Sequence, residues 1–188
     1  MIKIGITGSI ASGKTTASQI ISKGRGLLFS ADNVVKKLYT QKKFKIIVSK
    51  KLKLKSKSNL KSIIKNMILK KEGTLKRLEK IIHPIVRREM LDFLRRNKDK
   101  QFLFLEIPLL IESKLTKYFD IIIFIKSKKN LRLKRFKLKN KNIKLFSLLD
   151  RYQLKDTRKM KFCDHIVVNN KSLTILKKNL LNIIRHYE

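Results

Sequence analysis

The sequence predicts an α/β fold: a mostly parallel five-stranded sheet between two layers of helices. Three observations predict it. Short apolar runs recur along the chain, separated by segments with helical periodicity. Several of those runs are apolar on both faces, as strands of a sheet covered on both sides must be. The first run leads straight into Gly8-Ser9-Ile10-Ala11-Ser12-Gly13-Lys14-Thr15, a glycine-bounded loop that opens a helix.

Met1 to Thr7, with Ile2, Ile4 and Ile6, reads as a buried strand. The loop after it fits G-x-x-x-x-G-K-[ST], and strand, loop and helix arrive in the order a phosphate-binding P-loop requires. Gly8 and Gly13 admit backbone angles and close approaches that a Cβ obstructs. The N–H groups of Ser9, Ile10, Ala11 and Ser12 can then turn inward onto phosphate oxygens, and the helix N-terminus adds partial positive charge. In such a loop Lys14 reaches the β- and γ-phosphates, and the Thr15 hydroxyl is the expected Mg²⁺ ligand. Thr16 to Ser22 continues as the helix, with Thr16 still close to the phosphates. By itself the loop fits a motor, a switch, a regulator or a kinase.

Gly24-Arg25-Gly26 ends that helix. Leu27-Leu28-Phe29 is a second short strand, running into Ser30-Ala31-Asp32, and Asn33 to Tyr39 is helical. From Gln41 to Lys71, Phe44, Leu52, Leu60, Ile64 and Ile68 mark helices with a polar interruption at Ser56-Lys57-Ser58-Asn59. Low-complexity disorder over residues 50–58 is the competing reading. Thr74 begins another helix through Leu75, Leu78, Ile81 and Ile82. His83-Pro84 is expected to interrupt it, and Ile85 to Arg96 to resume. Phe102 to Ile107 is a continuous apolar strand carrying Glu106, and Asp120 to Ile125 is another. Leu131 to Lys139 is a basic helix, Phe146 to Met160 a single further helix, Asp164 to Asn169 the fifth strand, and Leu173 to Arg185 a closing helix. In such sheets the ligand lies at the carboxyl ends of the strands. The P-loop, Asp32 and Glu106 all follow strands and are expected to meet in one cleft.

The chain has 188 residues, enough for one domain with an insertion, and 43% of them are hydrophobic, enough for a real core. Lys+Arg 48 against Asp+Glu 13 gives a net charge of +35. Such a balance suggests a nucleic-acid partner. Here the basic residues run through the whole chain, in pairs such as Lys42-Lys43, Lys70-Lys71 and Lys177-Lys178, with no tail or stripe, and Lys, Asn and Ile are abundant together. Compositional drift accounts for that, and no specific nucleic-acid partner is expected. One cysteine, Cys163, rules out an internal disulfide and fits a reducing cytoplasm. The chain enters a strand at once, predicting no signal peptide, and no run is long and apolar enough to cross a membrane.

Beyond the P-loop, further elements carry a resemblance. They are Phe29-Ser30-Ala31-Asp32, Leu78-Glu79-Lys80-Ile81-Ile82-His83-Pro84 with Arg87, Pro108-Leu109-Leu110-Ile111-Glu112 with Leu115, the basic Leu133-Lys134-Arg135, and Gln153, Lys159, Asp164 and Asn169 in that order. Together they resemble the dephospho-coenzyme A kinase family over nearly the whole chain. Departures are Ser9 and Ala11 where the family usually has glycine, Ser30 for the first aspartate of Asp-Ala-Asp, Lys139-Asn140 for Arg-Asp, Lys171 where glycine is common, and a shortened segment between Tyr39 and Leu75.

The resemblance implies a three-layer P-loop sandwich, with a helical substrate-binding insert at about residues 40–100 and a lid at about 132–150. It implies ATP and Mg²⁺ as cofactors, dephospho-CoA as the acceptor, and a monomer or weak homo-oligomer in the cytoplasm. Asp32 is then the base that takes the ribose 3′-hydroxyl proton, a task a carboxylate at a strand end beside a P-loop suits, with a helix N-cap as its alternative. Arg135 closes over the phosphates, or is a solvated helix residue. His83, Pro108 and Leu109 contact the acceptor, while Arg87 is either a phosphate contact or a solvated residue. Asn169 borders the adenine site or is a turn residue. Glu106 stands near the metal, and Glu112 holds a helix in place. The alternatives are another small P-loop kinase and a nucleic-acid binder with a secondary P-loop. His83-Pro84 and Pro108 to Glu112 favour the first reading.

Overall fold

The computed structural model describes residues 1–54, 59–71, 73–139 and 142–188. The polar interruption at Ser56, Lys57 and Ser58 and the substitution at Asn140 lie outside them. The chain divides into two compact units: Met1–Ser30 with Arg96–Glu188, and Ala31–Arg95.

The first unit holds a five-stranded sheet of β1 (Ile2–Gly8), β2 (Gly26–Ser30), β3 (Phe102–Glu106), β4 (Ile121–Lys126) and β5 (His165–Val168), in the spatial order β2-β3-β1-β4-β5. Every described pairing is parallel. Ile4 lies beside Phe104 on one flank and Ile121 on the other, and Ile6 lies beside Glu106 and Ile123. Neighbours in register share a face, so Ile4, Ile6, Phe104, Ile123, Ile125 and Val167 form one apolar surface. Helices α1 (Lys14–Ser22) and α9 (Leu173–Ile184) close it with Ala17, Ile21, Leu176, Leu180 and Ile184. Leu103, Leu105, Ile122 and Phe124 alternate onto the other face and are also buried. This is why β1, β3 and β4 read as unbroken apolar runs. The same unit carries α6 (Lys129–Lys139), α7 (Ile143–Tyr152) and α8 (Asp156–Met160).

The second unit is helical: α2 (Ala31–Leu38), α3 (Lys42–Leu52), α4 (Leu60–Lys70) and α5 (Gly73–Arg96), whose last residue belongs to the first unit. Phe44, Val48 and Leu52 are buried at four-residue spacing, as are Leu60, Ile64 and Ile68. These stripes are what make a Lys-rich segment fold.

Two expectations are corrected. His83-Pro84 does not interrupt a helix, for α5 runs through it without a break. A mid-helix proline removes one hydrogen bond and crowds the preceding turn. Buried Leu75 and Leu78 before it and Met90 and Leu94 after it hold the two halves as one element. Conversely, Phe146 to Met160 is not one helix. It parts into α7 and α8 because tertiary partners claim the junction: the Leu154 N–H donates to Glu112 Oε1 at 3.2 Å, and Gln153 Oε1 accepts from the Ile10 N–H at 3.0 Å.

Candidate active site

The loop between β1 and α1 owes its course to its glycines. Gly8 has φ +151°, and a Cβ there would stand 2.5 Å from the Ile125 carbonyl oxygen; Gly13 has φ +99°, and a Cβ would stand 2.2 Å from Asn169 Nδ2. Ala11 also lies in the left-handed region, at φ +57°, with its Cβ in place. No side chain caps α1, and its first turn has no acidic residue. The opening amides and the positive end of the helix are therefore open to an anion.

Around this loop the side chains converge. Lys14 is buried, and its Nζ donates to the Ser9 carbonyl at 2.9 Å. Thr15 Oγ1 donates to Glu106 Oε1 at 2.6 Å, and Ser30 Oγ donates to Glu106 Oε2 at 3.0 Å. Glu106 is 1% exposed, a carboxylate at the end of β3, beside the central strand, with both oxygens held by neutral hydroxyls. The Thr15 hydroxyl gives its proton to Glu106, which leaves its lone pairs for a hard cation. With a carboxylate behind it, this oxygen set fits Mg²⁺. Among the described residues no cluster of three or more His, Cys, Asp or Glu could hold a metal by itself, so phosphate oxygens and water would complete the shell.

Behind the loop, Asn169 Nδ2 donates to the Ser12 carbonyl at 2.8 Å. Arg135 donates to that same carbonyl at 3.3 Å, to Ser127 Oγ at 3.1 Å and to the Asn169 carbonyl at 3.0 Å. The arginine expected over the phosphates thus has its guanidinium anchored on the loop's Ser12 and on Asn169, and Asn169 is 7% exposed. Thr7 Oγ1 donates to the Pro108 carbonyl at 3.2 Å, tying the Pro108-Leu109 turn to the end of β1. Glu112 pairs with the fully buried Lys159 at 2.7 Å, a holding role as expected.

Asp32, His83 and Arg87 belong to the second unit. Asp32 is exposed and is the second residue of α2, so it stands inside the first helical turn and not before it. A carboxylate there still complements the helix dipole. His83 and Arg87 lie one helical turn apart on α5 and share a groove of about 640 Å³ with Arg88, Asp92 and Arg95. Cys163 has its thiol pushed up to about 12, mainly by burial and next by the Asp164 carboxylate.

Sequence reasoning missed Arg132, Asp150 and Asp156. Arg132 is 6% exposed and donates to the Ile10 carbonyl at 3.4 Å, to the Ser127 carbonyl at 3.2 Å and to Asp150. Ser9 Oγ donates to Asp156. A signal existed: Arg132 and Arg135 are three apart and so share a helix face. Lysines on every side of them hid it. Glu106, Glu112, Asp150 and Asp156, four of the chain's 13 carboxylates, stand at this loop or brace it, so the acidic residues are not scattered as the basic ones are.

The sequence model of the family described as dephospho-CoA kinase matches residues 2–174. The chain belongs to the dephospho-CoA kinase family. A dephospho-CoA kinase of Bartonella quintana is 32% identical, the alignment covering 97% of this chain and 96% of that one. One of Rickettsia bellii is 29% identical over 100% of this chain and 98% of its own length. A solved Thermus thermophilus structure shares the fold with a TM-score of 0.76 at 24% identity, over 98% of this chain and 97% of that one. The enzyme is therefore a nucleotide-binding kinase of coenzyme A biosynthesis, built on an α/β P-loop fold. No helix of the described residues is long and apolar enough to cross a membrane.

Proposed function

We propose the following division of labour for the transfer of the ATP γ-phosphoryl group to the ribose 3′-hydroxyl of dephospho-CoA. The observation that carries it is the grouping of Lys14, Thr15 and buried Glu106 at an uncapped helix start. The loop from Ser9 to Thr16 wraps the phosphates, with the Ile10 N–H turned away onto Gln153 and not onto them, and Lys14 exchanges the Ser9 carbonyl for the β- and γ-phosphate oxygens, where charge builds during transfer. Asn169, at the back of Ser12 and Gly13, borders the adenine. Mg²⁺, ligated by Thr15 with Glu106 behind it, neutralises the phosphate charge when bound.

His83, Arg87, Pro108 and Leu109 receive dephospho-CoA, the two basic residues matching its anionic groups. Asp32 accepts the 3′-hydroxyl proton as that oxygen bonds to the γ-phosphorus. The bond from that phosphorus to the β–γ bridging oxygen breaks, and ADP leaves with the electron pair. Arg135 steadies the loop and the transferring charge. The insert at about residues 40–100 carries the acceptor, and the lid at about 132–150 covers the donor. A monomer or weak homo-oligomer in a reducing cytoplasm is the proposed working form, the compartment in keeping with a single cysteine.

The test is incubation of the pure protein with Mg-ATP and dephospho-CoA, followed by mass spectrometry. CoA and ADP in equal amounts are expected. Phosphorylation of a nucleoside monophosphate, with dephospho-CoA untouched, would overturn this assignment.

A further inference from the structure

The loop carries a conflict that its own residues do not resolve. Ala11 holds φ +57°, a left-handed conformation that a Cβ-bearing residue disfavours. Left alone, the peptide before it would relax, and the amides that follow would lose their common aim. The structure supplies the opposing force from distant parts of the chain. Both backbone polar groups of Ile10, the residue before Ala11, are taken by side chains. The Ile10 N–H donates to Gln153 Oε1 at 3.0 Å, and the Ile10 carbonyl accepts from Arg132 at 3.4 Å. Arg132 is itself held by Asp150 and by the Ser127 carbonyl. One residue earlier, Ser9 Oγ donates to Asp156. Gln153 sits in the break between α7 and α8, which Glu112 fixes through the Leu154 N–H.

We infer that Gln153 and Arg132 are positioning residues for ATP: they clamp the Ile10 peptide on both sides and so keep Ala11 in the left-handed conformation on which the phosphate grip depends. This rests on the P-loop being the ATP site. Neither side chain touches the phosphates in this role. The helix expected to be continuous breaks at Gln153, where the Gln153 side chain goes to Ile10 and the next residue's N–H goes to Glu112. The clamp lets alanine stand in a left-handed loop position, doing what a glycine's freedom would otherwise do.

The test is a rescue. Gln153→Met keeps the length of the side chain and removes the acceptor. Calorimetric titration with Mg-ATP should show affinity weakened about tenfold, the size of a left-handed penalty no longer opposed. KM for dephospho-CoA should stay within about twofold, because the acceptor site does not share the clamp. Ala11→Gly, which enters the left-handed region at no steric cost, should restore most of the lost ATP affinity to Gln153→Met. A role limited to holding α7 and α8 together would not be rescued from residue 11. Unchanged ATP affinity in Gln153→Met overturns the inference, and so does an equal loss with and without Ala11→Gly. Absence of cooperative melting in both also overturns it, since Gln153 would then hold the fold and not the loop. Lys14→Ala, titrated alongside, tests the underlying assignment separately. If it binds ATP normally, the loop is not the ATP site, whatever Gln153 does.

Discussion

Replacing Lys159 with methionine isolates the ion pair that braces the broken helix. Lys159 is 0% exposed, and its ammonium lies 2.7 Å from Glu112, whose side chain is 17% exposed. Methionine fills nearly the same volume, so the packing loss is small. What remains is a mostly buried carboxylate without its cation. Breaking a buried pair from one side costs roughly 3–5 kcal/mol. The lower end applies here, because Glu112 keeps some contact with water and still accepts the Leu154 N–H at 3.2 Å. For a chain of this size each kcal/mol moves the melting temperature by roughly 2–4 °C, so Lys159→Met should melt about 6–12 °C below the parent. Lys159→Met with Glu112→Gln removes both charges and should recover most of that loss, since a neutral amide is far cheaper to bury than a lone carboxylate. Thermal unfolding followed by circular dichroism reads all three chains. A single variant melting within about 3 °C of the parent, or a double variant no better than the single, would refute the claim that the pair, and not the aliphatic stem of Lys159, does the bracing.

Lys14→Ala should fold normally and lose at least about a hundredfold in turnover, because the ammonium that meets the developing phosphate charge is gone; a folded variant with parental turnover removes the loop from the mechanism. Asp32→Asn keeps the shape, gives up the charge that complements the helix dipole and cannot take a proton, so turnover should fall about 10²–10⁴-fold while ATP affinity, read by calorimetry, stays within about threefold. Near-parental turnover would return Asp32 to a purely structural place in α2. Cys163 has a thiol raised from about 9.0 to about 12, so at pH 9 an ordinary cysteine is half ionised and this one about one part in a thousand. Iodoacetamide should label the folded protein several hundredfold more slowly than the urea-unfolded chain at that pH. The raised folded value also means that its contribution to stability is complete below pH 9 and drains away as pH climbs toward 12. Equal labelling rates would show the thiol to be unburied.

The sheet was legible because its strands are buried on both faces, which leaves runs such as Phe102 to Glu106 that nothing but a covered strand explains. The loop was legible because its chemistry is local: Gly8, Gly13, Lys14 and Thr15 act within eight residues. The errors lie where a distant partner overrides a local preference. Pro84 reads as a helix end by its ring, yet apolar contacts on either side carry α5 through it. Residues 146–160 read as one helix by their periodicity, yet Glu112 and Ile10 capture the hydrogen bonds of the junction. Arg132 was obscured for a different reason. Burial is a property of place, and among seven other basic residues from Lys126 to Lys139 only its three-residue spacing from Arg135 hints that the Arg132 side chain turns inward.

β1 precedes the other described strands in the chain and is the middle strand of the finished sheet. Its two neighbours, β3 and β4, lie about a hundred residues later, and the groups that shape the loop after it reach to Asn169. At roughly 5–20 residues per second, synthesis from Thr15 to Asn169 takes on the order of 8 to 30 s. Through that interval the chain emerging from the ribosome carries the whole nucleotide signature and no nucleotide site. ATP, however abundant in the cell, has nothing to select for until the last strand arrives. A chain truncated before β5 should therefore keep every residue of the motif and still fail to retain ATP. The residues of β1 and its loop are among the last to acquire their meaning.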